Sequence, residues 1–219
     1  MSSVEPIELS TRYPEVYHMA EFNSWRSIKK HGLLSTAALL DLFEVRGDER
    51  IKLESRWRPG SVTIHHGAHG TAVIRDQRPM PENELMQVLV GMHPAEWYKL
   101  INGKVFFWAD LWGLKKLLNA VMYRGRSQEV LAVDTRALLD RHMPEMWLTD
   151  QNTGSVMSRR KRGLDTFKRV REFNAPWVTE VAVDYSVPDV ANLTMRVEEW
   201  KGDSKSARSG QAGTREANA

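Results

Sequence analysis

Val105-Phe106-Phe107-Trp108-Ala109-Asp110-Leu111-Trp112-Gly113-Leu114-Lys115-Lys116-Leu117-Leu118 changes its period in mid-course, and that change sets the fold class. Val105 to Trp108 is a short unbroken apolar run, the mark of a compact strand. Asp110 is then an N-cap residue, and Leu111, Leu114, Leu117, Leu118 and Val121 follow on one side of an amphipathic helix. The same alternation extends outward. Upstream, a β-prone piece ends at Met19, Asn23 or Ser24 caps a helix that carries Trp25 and Ile28 inward, and Gly32 stops it. Thr36 caps a second short helix with Leu39, Leu40 and Phe43. Pro81 and Pro94 open two more, and Asn102-Gly103 is a turn signal. Downstream, Glu129 to Val133 reads as a buried strand that hands over to a helix capped at Asp134-Thr135. Met146-Trp147-Leu148, Trp177 to Val183 and Asn192 to Val197 supply further strands. The pieces of sheet are scattered along the whole chain, which predicts one α+β domain over residues 1–200.

Composition narrows the choices. The chain has 219 residues, 42% of them hydrophobic and eight of them Trp, enough for one substantial core. Trp25, Trp97 and Trp147 read as members of it. There is no Cys, which excludes disulfides, thiolate metal sites and a Cys nucleophile. The first residues carry no cationic leader before an apolar run, and no apolar stretch approaches the ~18 residues needed to cross a bilayer. A cytoplasmic protein without a membrane partner is expected. The tail from Lys201 to Ala219 has almost no apolar residues and is expected to be disordered, so that removing it should leave folding intact.

Charge is nearly balanced, at +3, but unevenly spread. Ser158-Arg159-Arg160-Lys161-Arg162, followed by Lys168, Arg169 and Arg171, concentrates positive charge in one segment. It is either a solvated face or a surface for phosphate. From Glu44 to Gly70 the sequence turns polar and reads as a mobile loop. His65, His66 and His69 within it have the side chains to ligate a metal, but the Gly-rich setting without carboxylates or cysteines favours a solvated or phosphate-adjacent loop. No metal is expected. The phosphate-binding loop, dinucleotide glycine fingerprint, nucleophile elbow and H-E-x-x-H helix are all missing from the sequence.

The order of the remaining segments carries a family resemblance. Val16-Tyr17-His18 followed by Asn23, a helix and His31-Gly32-Leu33-Leu34 resembles the opening of DarT-type ADP-ribosyltransferases. Val105-Phe106-Phe107-Trp108 before a Leu-rich helix is similar to that family's aromatic strand, although the Phe-Phe-Trp wording departs from it. Glu129 to Val133 and Trp147-Leu148-Thr149-Asp150 resemble two later strands. Thr179-Glu180-Val181-Ala182-Val183 with Val187-Pro188 resembles the strand from which the family's catalytic Glu projects. The likeness runs from about Val16 to Val197 as ordered segments.

The resemblance implies an ADP-ribosyltransferase-like fold, with two small packed β-sheets and flanking helices around an NAD cleft. It implies NAD⁺ as co-substrate and transfer of ADP-ribose to nucleic acid, with a base in DNA favoured over RNA. A toxin or defence role with a neutralising antitoxin would fit such an activity. Breaking the nicotinamide bond develops positive charge on the ribose, which a carboxylate stabilises while it helps to take the acceptor's proton. Glu180 has that place by resemblance; on local grounds it is a strand-end Glu paired with a surface Arg. Tyr17, His18, Asn23 and Phe107 would contact NAD⁺, although Asn23 also fits as a cap and His18 as a packed histidine. Arg75 is the choice for the arginine that holds the pyrophosphate, with Arg78 as its rival. Arg159, Arg160, Lys161 and Arg162 would meet the nucleic acid. Plain NAD⁺ hydrolysis, and a nucleic-acid-binding module that keeps the fold without turnover, are the alternatives.

Overall fold

A computed structural model describes residues 5–202, 204 and 205. The chain enters through helix α1 (Pro6–Arg12), strand β1 (Glu15–Glu21), α2 (Trp25–His31), β2 (Leu33–Leu34), α3 (Thr36–Leu42) and α4 (Gly47–Ser55). A hairpin of β3 (Val62–His66) and β4 (Gly70–Ile74) follows, then α5 (Glu82–Val88), α6 (Pro94–Asn102), β5 (Lys104–Trp108) and α7 (Leu111–Leu118). The second half runs through β6 (Ser127–Asp134), α8 (Thr135–His142), β7 (Met146–Thr149), β8 (Lys168–Arg169), β9 (Glu180–Asp184) and β10 (Ser186–Val187). It closes with α9 (Val190–Leu193), β11 (Thr194–Lys201) and β12 (Ser204–Lys205).

The molecule is α+β, but its main sheet is a single antiparallel ladder of eight strands in the order β12-β11-β6-β1-β5-β9-β7-β8, rather than two small sheets packed together. That ladder has one weak seam. β1 pairs with β6 at every position from Glu15 to Glu21, and β5 pairs with β9 from Lys104 to Trp108. Between β1 and β5 only Tyr17 and Trp108 are paired. The sheet is therefore two four-stranded halves joined at one point.

Strand alternation sorts the apolar residues onto two faces. On one face Val16, Ala20, Val105, Phe107, Leu131, Leu148, Val181 and Val183 form a continuous core across both halves. On the other the core is divided: Tyr17, Met19, Val130 and Ala132 pack on Leu114 and Leu118 of α7. Phe106, Trp147 and Ala182 pack with Trp97, Tyr98 and Ile101 of α6. Trp97 is fully buried, while Trp25 and Trp147 lie at the margins of their clusters.

Several local expectations are corrected. Ser35, not Thr36, caps α3, accepting from the Ala38 N–H at 3.2 Å. Ser24 stands at the N-cap of α2 without a side-chain bond, its ψ of −22° being helical rather than extended, and the Glu129 carboxylate of β6 takes the Trp25 N–H at 2.6 Å. Asn23 is not a cap either; its φ is 67°. Val121 lies past the end of α7 and is 79% exposed. The stretch from Glu44 to Gly70 is α4 plus most of a hairpin, not a loop, because Leu53, Ile64 and Ile74 have Leu40 and Phe43 to pack against. β9 begins only at Glu180 and β11 only at Thr194. Order also passes Trp200: Ser204 and Lys205 pair with Lys201 and Trp200, so the start of the expected tail is strand. Residues 203 and 206–219 lie outside the described residues.

Gly32 does end α2, and for two reasons. Its φ of 83° is left-handed, and a Cβ there would lie 2.6 Å from the Pro188 Cα. That close approach ties the end of α2 to the segment after β9, where β2 pairs with β10. Among the described residues no helix is long and apolar enough to cross a membrane.

Candidate functional site

A cavity of about 550 Å³ lies along the weak seam. Its walls come from β1 beyond Tyr17, β5, the α2–α3 region, β4, the Asn152–Ser155 loop and the first residue of β9. The structure brings His18, Asn23, Arg75, Phe107 and Glu180 to this one cavity.

Glu180 stands at the start of β9, but it is 6% exposed and its carboxylate is bonded by Thr153 rather than by a surface Arg. Its approach is fixed on both sides, the Thr179 N–H donating to Thr149 O at 2.8 Å and the Ala109 N–H to Thr179 O at 3.1 Å. The Asp150–Ser155 loop folds back so that Thr153 grips one carboxylate oxygen, Oε2, through its backbone N–H at 3.1 Å and its Oγ1 at 2.7 Å. Burial pushes the Glu180 carboxyl up to about 7, against the pull of the Thr153 bonds and of the Arg162 charge. A carboxyl poised there can give or take a proton near neutral pH.

His18 bridges the seam, with ring Nδ1 2.8 Å from Phe106 O. A carbonyl only accepts, so Nδ1 carries the proton and Nε2 is left with its lone pair. Burial brings the ring down to about 4, and the nearby Arg75 charge acts in the same direction, so the imidazole is neutral at pH 7. It meets the edge of Phe107 at 5.9 Å, and Phe107 itself is 1% exposed. Arg75 donates from Nη1 to Met19 O at 2.9 Å and stacks on Tyr123 with its guanidinium 4.7 Å from the ring centre. Arg78 points elsewhere, to Pro59 O, and does not line the cavity. Of the two arginines, Arg75 lines the cavity and Arg78 does not.

Two expectations fail on placement. Tyr17 is not part of the cavity wall. It faces the α7 side, where its Oη donates to Glu15 at 2.8 Å. The strand's alternation explains this, since residues adjacent to His18 must point to the opposite face. Arg162 is not a surface cation: it is 2% exposed and donates from Nη1 to Thr153 O at 3.2 Å, buttressing the loop that grips Glu180. Burial lowers its pKa, and Nη2 is buried with no partner among the described residues. Arg159, Arg160 and Lys161 are exposed but lie outside the cavity. Arg160 pairs with Asp150 at 2.6 Å, and Lys161 donates to Gln87 O at 2.9 Å.

Sequence reasoning missed Thr153 and Arg58. Arg58 is 6% exposed and lines the cavity, donating to Leu53 O, to Arg75 O at 3.2 Å and to Asn102 Oδ1 at 3.0 Å. It fixes the backbone that carries Arg75. No local signal marks it, because two of its three acceptors, Arg75 O and Asn102 Oδ1, come from later segments of the chain. The histidines lie on the β3–β4 hairpin, His66 stacked on His69 at 4.7 Å and His31 edge-on at 5.2 Å. Among the described residues no group of three or more His, Asp or Glu is arranged to hold a metal ion.

Fold and site together define an α+β protein with a split antiparallel sheet and a buried acidic group facing the opening. The chain belongs to the family of unknown function DUF7002, whose profile matches residues 14–194, from the start of β1 into β11. No curated protein matches it.

Proposed function

We propose that this chain is an NAD⁺-dependent ADP-ribosyltransferase with an ADP-ribosyltransferase-like fold, acting on nucleic acid and on a base in DNA in preference to RNA. The observation that carries the reading is Glu180: a carboxyl at 6% exposure, held by Thr153 and pushed up to about 7, in one cavity with a neutral imidazole and a guanidinium. The cavity's volume is in the range of small-molecule sites. The opening of one sheet into two halves supports the finer fold assignment.

The residues fit the co-substrate's chemistry. NAD⁺ supplies an ADP-ribosyl group on a leaving group, nicotinamide, that departs with the bonding electrons. Arg75 supplies positive charge for the pyrophosphate. Nε2 of His18 accepts a hydrogen bond from a ribose hydroxyl. Asn23 offers a side-chain amide that bonds no described residue, and Phe107 supplies an apolar wall. Positive charge developing on the ribose draws the Glu180 carboxyl toward its ionised form, which stabilises that charge. The acceptor atom bonds to C1′ as the nicotinamide bond breaks, and its proton passes to Glu180 and on to solvent. NAD⁺ and nucleic acid meet in the cytoplasm, and an effector of this kind calls for a neutralising antitoxin.

Labelled NAD⁺ incubated with the protein and separate pools of single-stranded DNA, RNA and lysate tests the proposal. Label retained on DNA, and lost with Glu180→Gln, supports it. Release of free ADP-ribose alone indicates hydrolysis, and no consumption of NAD⁺ indicates a binding module without turnover; either result overturns it.

A further inference from the structure

Trp177 keeps 53% of its surface exposed on a segment whose neighbours Phe173 and Val178 are buried. It is also held in place. Its indole N–H donates to Asp150 O at 3.4 Å, and the same carbonyl accepts from Nη1 of Arg160 at 2.8 Å. Nη2 of Arg160 reaches the Asp150 carboxylate at 2.6 Å. On the preceding residue, Pro176 O accepts from Nη1 of Arg12 at 2.6 Å. An exposed indole thus has two exposed guanidiniums beside it in the bonding pattern, Arg160 on the carbonyl that the indole itself binds and Arg12 on the carbonyl of the preceding residue, each with N–H groups left over.

This patch is covalently continuous with the site. Asp150 leads into the Asn152–Ser155 wall of the cavity and into Thr153, which grips Glu180. Trp177 itself is three residues before Glu180, a span of at most about 10 Å. Fixed arginines suit phosphate oxygens, and a flat exposed ring suits a base that presents its face. Bases inside a duplex present no free face. An acidic peptide would use the guanidiniums and leave the indole without a matching partner.

We infer that Trp177, Arg12 and Arg160 form a landing surface for single-stranded nucleic acid, with one base stacked on the indole and phosphates on the two arginines. The inference rests on the proposed transferase for its purpose, but the binding it describes needs neither NAD⁺ nor turnover. Fluorescence anisotropy with labelled mixed-sequence oligonucleotides, without NAD⁺, measures it directly. Single strands should bind more tightly than the matching duplex. Trp177→Ala should weaken single-strand binding about 5- to 150-fold, and Trp177→Phe should restore most of it. Arg12→Ala with Arg160→Ala should reduce the slope of log affinity against log salt by about 0.7 per arginine. Melting curves of the variants check that the surface changes leave the fold intact.

Equal binding of duplex and single strand, wild-type affinity in Trp177→Ala, or label transferred to protein with no oligonucleotide bound would each overturn the inference. The two proposals fail separately. Trp177-dependent binding without NAD⁺ consumption sinks the transferase and leaves the landing surface standing. Glu180-dependent labelling of DNA at an undiminished rate in Trp177→Ala does the reverse.

Discussion

Glu180→Gln should make the protein more stable and at the same time inactive. Burial moves the Glu180 carboxyl from 4.5 to about 7, and at 6% exposure solvent screens it little. Between those values the folded protein holds a proton that the unfolded chain has released. Stability therefore falls as pH rises from about 4.5 to about 7 and levels off above that. The gap from 4.5 to about 7, at about 1.36 kcal/mol per pH unit, amounts to about 3 kcal/mol of cost at pH 8. Gln keeps the shape and an oxygen for Thr153 without the charge, so the variant avoids that cost.

For a chain of this size about 2–4 °C of melting temperature accompanies each kcal/mol, which puts the variant about 6–12 °C above the wild type at pH 8 and close to it at pH 5. NAD⁺ turnover should fall at least 10²- to 10⁴-fold, the worth of a general acid or base alone. Calorimetry at pH 5 and pH 8, with NAD⁺ consumption on the same preparations, reads both effects. An exposed ion-paired Glu would give the opposite pattern, a loss of about 0–1 kcal/mol and unchanged turnover. Identical melting at both pH values would refute the burial argument, and full turnover would refute the catalytic one.

The remaining expectations use the same geometry. Thr153→Val removes the 2.7 Å donor to Glu180 while keeping the side chain's shape; the acid limb of the pH–rate profile should move up by about one to two pH units, the worth of a bond to a charged group. Arg75→Met should raise the KM for NAD⁺ about 10- to 150-fold, whereas Arg78→Ala should leave it within about twofold, because only Arg75 lines the cavity. A chain ending at Trp200 should be about 1 kcal/mol less stable in urea than one ending at Lys205, because it lacks the β12 pairing and the Lys205–Glu198 ion pair at 2.7 Å.

The strands were the most legible feature because their apolar runs are short and bounded. Val105 to Trp108 and Glu129 to Val133 each fall within a strand, and Asp110 and Asp134 cap the helices that follow. Glu180 was legible only through the order of segments; nothing in Thr179-Glu180-Val181 marks that glutamate as buried. The hairpin at Val62 to Ile74 was hidden because His65, His66 and Gly70 interrupt its alternation, and its burial depends on Leu40 and Phe43 far upstream. Arg162 misled for the opposite reason. Four adjacent basic residues read as one surface, yet the Val88–Arg162 and Val90–Arg162 backbone bonds turn the last one inward beneath Thr153.

The seam between β1 and β5 was not legible at all, and it is what makes the site. A full ladder there would hold the two strands about 4.8 Å apart and leave no room for a ligand. Opening it leaves strand carbonyls without ladder partners, and buried carbonyls need others. Phe106 O takes its bond from His18 and Met19 O takes one from Arg75. Two of the side chains assigned to NAD⁺, His18 and Arg75, are therefore also the groups that satisfy the parted strands. Substituting either one should disturb the opening as well as the chemistry, so the rise in KM expected of Arg75→Met carries both contributions. Glu180 takes no part in bridging the seam; its carboxylate is held by Thr153, on its own half of the sheet. That separation is why Glu180→Gln, and not a change at His18 or Arg75, tests the chemistry with the architecture held fixed.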